Sequence, residues 1–173
     1  MKKIILTSIL FLIPVLLSAQ LKMGVMDPDV VLDALPETVQ VQTDLENFVQ
    51  QRQQAFQTRY QDWLAQVTSY SERVEAGEIN DADIEAEEER LVEIQEELNS
   101  LQQRIQRQIQ ERQNELFNPL LLKVENAMAE VSEELGLDFV MNKTTNTGDP
   151  IIYFSSQRAP DITERVIQKL TQN

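Results

Sequence analysis

Leu91-Val92-Glu93-Ile94-Gln95-Glu96-Glu97-Leu98-Asn99-Ser100-Leu101-Gln102-Gln103-Arg104-Ile105 sets large apolar residues at 91, 94, 98, 101 and 105, separated by polar and charged ones. Alternating steps of three and four are the seam of a coiled-coil helix. The seam continues through Ile109, Arg112 and Leu116, with a stutter at Ile105 where two steps of four meet. Upstream, Leu45, Val49, Arg52, Phe56, Tyr60, Trp63, Val67, Tyr70 and Val74 repeat the spacing, with their own stutter at Phe56. The two seams are mirror images about a point between Asn80 and Asp81. Tyr70 then faces Leu91, Val67 faces Ile94, Trp63 faces Leu98, Tyr60 faces Leu101, Phe56 faces Ile105 and Leu45 faces Leu116. Antiparallel pairing demands such symmetry. The expectation is a helical-hairpin arm over 37–116.

The residues between the seams agree. Gln, Glu and Arg dominate Glu37 to Glu134, which holds one glycine, Gly77, and one proline, Pro119. Gly77 suits a helix C-terminus, and Asn80 or Asp81 the start of the returning helix, so the tip falls near 77–83. A helix from Glu37 to Glu75 would reach about 58 Å at ~1.5 Å per residue. Pro119 is expected to kink the returning helix or to start a new segment, whose apolar face is Leu120, Val124, Ala127 and Val131.

Outside the arm, Lys22-Met23-Gly24-Val25-Met26 reads as a short strand. Asp27-Pro28-Asp29 after it is explained by a turn and helix cap, without an acid–base role. Asp138 to Asn142 and Ile151 to Phe154 flank the turn-forming run Lys143 to Pro150, which predicts a β-hairpin. A last helix is expected from about Asp161, with Ile162, Val166, Ile167 and Leu170 on one face. The expected class is α+β: a long antiparallel coiled-coil arm on a small β body made of residues 20–36 and 117–173. One strand and one hairpin leave exposed edges, and a two-helix arm buries only a narrow stripe. Oligomerisation through Val25, Phe139, Val140, Met141, Ile151, Ile152 and Tyr153 would close those edges.

Residues 1–19 have the layout of a secretory signal peptide: basic Lys2 and Lys3, an apolar run from Ile4 to Leu17, and small Ser18 and Ala19. The run is short for a membrane-spanning helix, so the mature chain is expected to be exported without a stable membrane anchor, cleaved near Ala19. The 173 residues include no Cys and no His, which removes disulfides, cysteine nucleophiles and Cys/His zinc sites. The formal charge of −14 argues against nucleic acid. With no glycine-rich phosphate loop and no convincing carboxylate pair, no enzyme activity, cofactor or metal is expected.

Gly24-Val25-Met26-Asp27, then Val31-Leu32 and Leu35-Pro36-Glu37, resembles the mature start of the Skp/OmpH family of periplasmic chaperones. Gly136-Leu137-Asp138-Phe139-Val140 and Asp161-Ile162-Thr163-Glu164-Arg165-Val166-Ile167 resemble its closing segments. The resemblance covers the mature chain in order. It implies a jellyfish-like homotrimer, in which strands of three subunits build a barrel and three arms enclose a cavity. It implies a periplasmic holdase that keeps unfolded outer-membrane proteins soluble without ATP. The chain departs from the best-known pattern, whose arms are basic. Residues 72–97 hold twelve carboxylates against Arg73 and Arg90. Neither lipopolysaccharide binding nor electrostatic capture is therefore carried over. Those carboxylates lack calcium-loop spacing and read as a solvated face.

Phe56, Tyr60, Trp63 and Tyr70 sit on the seam and are read as packing the two helices together. The off-seam apolar residues Phe48, Leu64, Ile84 and Phe117 are the candidate client contacts, and the glutamines from Gln50 to Gln57 are read as a polar face. A passive envelope scaffold is the competing function. It predicts a sealed seam with every other face charged, and Phe48 and Leu64 lean against it.

Overall fold

The structure, a computed structural model, describes residues 21–145 and 147–172. The expected signal peptide lies outside them. Six elements follow in order: β1 (Met23–Met26), α1 (Pro28–Asp33), α2 (Pro36–Glu75), α3 (Asp81–Leu135), β2 (Phe139–Asn142) and α4 (Thr163–Thr171). The chain is α+β, with long helices and one small two-stranded sheet. It divides into two compact units. One contains the residues up to Thr38 and from Leu120 onward; the other is Val39–Pro119.

In the first unit, β1 and β2 are parallel, with Met23 opposite Phe139 and Met26 opposite Asn142. Parallel neighbours need a long connection, which α1, α2 and α3 supply. The far edge of β1 is also occupied. Its Val25 N–H donates to the Pro160 carbonyl at 2.9 Å, and Ile162 N–H donates to the Val25 carbonyl at 2.9 Å. Asp27 ends the strand and caps α1, accepting from Val30 N–H at 3.3 Å, while Pro28 fills the first helical turn. The core against the sheet is Met26, Val31, Leu35, Val124, Ala127, Val131, Ile162 and Val166. α3 supplies Val124, Ala127 and Val131 at helical spacing, and Ile162 and Val166 come from the start of α4.

Two expectations change. The hairpin over 138–154 does not form. The turn at Thr145–Gly148 brings the chain back for a single antiparallel bridge, Thr144 with Pro150, and Ile151–Phe154 is not a strand. Pro150 has no N–H to extend a ladder, and the Ile151 and Ile152 N–H groups both donate to the Lys143 carbonyl, at 2.7 and 3.2 Å. Two donors on one acceptor divert the chain as a bulge does, leaving Tyr153 87% and Phe154 83% exposed. Second, Pro119 starts no new segment, since α3 runs through it from Asp81 to Leu135. The helix that the Asp27-Pro28-Asp29 cap announced is the short α1, which holds Val30 and Val31.

Polar contacts tie the elements of this unit together. Lys143 meets Asp161 at 2.7 Å, and Asp161 also accepts from the Thr163 backbone N–H at 3.0 Å, opening α4. Burial pushes the Asp161 carboxyl up, but the Lys143 and Thr163 hydrogen bonds outweigh it and hold its pKa below the ordinary value. Lys169 on α4 bridges Glu130 and Glu134 on α3 at 2.8 and 2.6 Å. Lys123 reaches Glu37 at 3.0 Å, joining the first turn of α2 to α3. These pairs are exposed and orient the helices more than they stabilise them. The core carries the stability. Ile162→Ala, at a fully buried position, should cost about 2–5 kcal/mol. Its check is the loss of hydrogen-exchange protection in β1 and α4, while amides of Val39–Pro119 stay unchanged.

Candidate functional site: the hairpin Val39–Pro119

α2 stops where glycine lets it. Gly77 has φ +69°, its N–H donates to the Val74 carbonyl at 3.1 Å, and Glu78 N–H donates to the Arg73 carbonyl at 2.9 Å. These paired bonds are a Schellman ending, which satisfies carbonyls the helix would leave free. α3 starts on Asn80, whose side-chain oxygen accepts from the Ala82 and Asp83 N–H groups at 3.1 and 3.0 Å. The Asn80 amide in turn donates to the Asp83 carboxylate. The turn is fixed at both ends by local sequence.

Along the seam, Leu91, Leu98 and Ile105 of α3 are buried. Leu45, Val49, Phe56, Trp63, Val67, Tyr70, Ile94, Leu101, Ile109 and Leu116 are half-buried, and Tyr60 is 43% exposed. Phe56 and Tyr60 rings stack at 6.4 Å, and Tyr60 and Trp63 lie at 5.8 Å. Phe56 and Tyr60 share a hollow of about 460 Å³ with Ile105 and Ile109, walled by Gln53, Gln57, Gln102 and Gln106.

Nearer the tip, three hydrogen bonds join α2 to α3 at positions closer to the α3 start than the mirror point would give. Trp63 Nε1–H donates to the Leu91 carbonyl at 3.1 Å, where Leu98 was the expected neighbour. Tyr70 Oη donates to Glu88 at 2.8 Å, and Arg90 donates to Gln66. The backbone register itself is not moved, since Phe56 still shares its hollow with Ile105 and Arg59 with Leu101, so these polar side-chain ends bond off their own levels. The carboxylate beside the Tyr70 hydroxyl raises its pKa by hydrogen bonding the protonated form.

The proposed contact residues are scattered. Leu64 is 42% exposed, while Phe48, Ile84 and Phe117 are half-buried. Phe48 is covered in part by the Arg52 guanidinium, 4.8 Å from its ring centre. Phe48 and Leu64 lie about 24 Å apart along α2, at ~1.5 Å per residue, so they form no single patch. Val92, 55% exposed, was missed. Its signal was an apolar residue directly after a seam position, where the next face turns outward.

In the other unit, Val25 is buried, Val140 and Ile152 are half-buried, and Phe139, Met141, Ile151 and Tyr153 are exposed. Phe139 and Met141 alternate along β2 onto the same face as Met23, itself 43% exposed, by the period of a strand. Leu122, 58% exposed, points away from the face that Leu120 and Val124 bury, while Leu121, 40% exposed, lines a hollow with Met26, Val124 and Met128.

Among the described residues no helix is long and apolar enough to cross a membrane. No group of three or more acidic side chains there is placed to hold a metal ion.

Gly77→Ala tests the turn. The site has open space around it but a left-handed backbone, so the substitution should cost about 1 kcal/mol through strain alone. Amide exchange over residues 72–90 should quicken severalfold, with no change in β1.

Residues 22–170 match the sequence model of a family described as outer membrane protein (OmpH-like). A comparison with curated proteins gives no match.

Proposed function

The chain belongs to the OmpH-like outer membrane protein family, the Skp/OmpH family, and from that premise we propose that it is an ATP-independent periplasmic holdase for unfolded outer-membrane proteins. Membership suggests a periplasmic chaperone of outer-membrane proteins; holding in a cavity between three arms is the finer part of the proposal. The match over residues 22–170 carries the reading. The hairpin supports it physically. A two-helix arm keeps apolar side chains at its surface because it has too little interior to hide them, and Leu64, Val92 and Tyr60 are such residues. An unfolded barrel strand, alternating apolar and polar, can bury its apolar side against them reversibly. No nucleotide chemistry is needed for that, since the favourable term is apolar burial.

The homotrimer belongs to the same proposal. β2 has β1 on one edge only, and an open edge beside exposed Phe139, Met141, Ile151, Tyr153 and Phe154 is an aggregation hazard unless it is covered. Equivalent copies related by a rotation cover it without leaving a new edge. In that assembly Ile151–Phe154 becomes the strand that the single chain does not complete.

Diluting a urea-unfolded outer-membrane barrel protein into buffer containing residues 20–173 should abolish most light scattering at about one trimer per client. Unaltered scattering removes the holdase. Tyr153→Ser with Phe154→Ser should shift native mass spectra from trimer to monomer while leaving helicity intact. A trimer that survives both changes removes this segment from the interface.

A further inference from the structure

Charge is divided sharply along the hairpin Val39–Pro119. Residues 72–97 carry twelve carboxylates and two arginines. Residues 47–61 and 98–110 carry Arg52, Arg59, Arg104 and Arg107 and no carboxylate. These two carboxylate-free windows lie side by side. Phe56 and Tyr60 share their hollow with Ile105 and Ile109. Ala55 and Arg59 line a second, of about 590 Å³, with Leu101 and Arg104, and Asp62 and Glu97 stand at its tipward rim. A chain of net charge −14 therefore wears a cationic collar below an anionic tip.

Direct ion pairs within the hairpin offset little of either pole. Its ion pairs among the described residues are Arg90 with Glu87 at 3.6 Å and Arg112 with Glu115 at 3.1 Å. Arg59, Arg104 and Arg107 belong to none, and Arg52 rests on the Phe48 ring. We propose that the collar is a docking surface for the acidic tip of a second copy of this chain, so that hairpins of two copies lie tip against flank.

Charge complementarity chooses this occupant, and dimensions agree. The collar spans about 21 Å from Asn47 to Gln61, and the carboxylate-bearing start of α3 spans about 24 Å from Asp81 to Glu97, at ~1.5 Å per residue. Chemistry agrees as well. Arg59 and Arg104 offer guanidinium donors around an apolar floor of Ala55, Leu98 and Leu101. The tip brings carboxylate acceptors and an exposed apolar residue, Val92. Guanidinium–carboxylate pairs can be bidentate, which fixes register as well as attraction.

The salt dependence has a diagnostic sign. Two bodies of the same net charge repel, most strongly at low salt, where the Debye length is about 30 Å at 0.01 M. Collar-to-tip docking is attractive at short range and gives the opposite trend. This docking is independent of the holdase reading, because it requires no client.

Sedimentation velocity of residues 20–173 in about 0.01 M and about 0.5 M NaCl tests it. The expected result is a larger species at low salt that dissociates at high salt to the assembly held by the β body, with apparent association weakened on the order of tenfold or more. A collar variant (Arg59→Glu, Arg104→Glu, Arg107→Glu) and a tip variant (Glu85→Lys, Glu89→Lys, Glu93→Lys) should each lose the larger species. An equimolar mixture of the two should regain it. Association that is indifferent to salt, or that strengthens with it, overturns the proposal. So does a mixture that stays apart while both variants keep wild-type helicity. Should a variant lose helicity, the wild-type salt series decides alone. If wild type shows no low-salt species but the collar variant loses grip on an unfolded acidic polypeptide, the collar serves the client and the proposal fails.

Discussion

Met23–Met26 is only four residues long, yet both of its edges are taken, and the first unit depends on that double pairing. β2 hydrogen-bonds along one side and Pro160 to Ile162 along the other. Segments from the beginning, middle and end of the chain thus meet on one strand. Met26 turns into the core there, and Asp27, the next residue, caps α1 while its own N–H donates to Thr163 Oγ1 at 3.0 Å. A buried strand must find partners for every N–H and C=O it carries. Four residues satisfy that demand only because distant parts of the chain converge on them, which makes this unit a structure of long-range contacts that forms late relative to any helix.

The hairpin obeys the opposite logic. Its contacts are local in type, and its ends are closed by Gly77 and Asn80 within a few residues. Only Leu91, Leu98 and Ile105 along the seam are buried, so its apolar side chains are shared between packing and surface. That shortage of interior suits the holding role proposed above: what the helices cannot bury between themselves is available to something else. It also explains why charge, and not more apolar area, patterns the remaining faces. A hairpin with further exposed leucines would associate through them indiscriminately.

Much of this was legible in residue spacing. Steps of three and four gave both long helices, and the Gly77 and Asn80 pair gave the turn, because helix periodicity and capping are local properties. The face Val124, Ala127, Val131 and the face Ile162, Val166 were readable for the same reason. The run Ile151 to Phe154 was not. Its composition is that of a strand, but a strand is defined by what it pairs with, and Pro150 with the doubled bond to Lys143 turns it away within its own chain. α1 was announced by its cap, Asp27-Pro28-Asp29, although six residues give too few turns for periodicity to show its length. The heights of the Trp63 and Tyr70 hydrogen bonds escaped because the polar end of a long side chain can bond a group off its own backbone level, which mirror counting ignores. As for contact residues, off-seam apolar positions such as Leu64 and Val92 can both be found by exclusion from the seam.

Trp63 is the chain's single indole, half-buried, tilted against Tyr60 and hydrogen-bonded to a carbonyl of the opposite helix. Its emission therefore originates wholly in the hairpin, and the β body is dark at wavelengths that excite tryptophan alone. Optical titrations of this protein will register the separation of α2 from α3 at one depth, with no blending from the rest of the chain. A colourless base and one built-in lamp part-way along the limb make it a natural single-dye system.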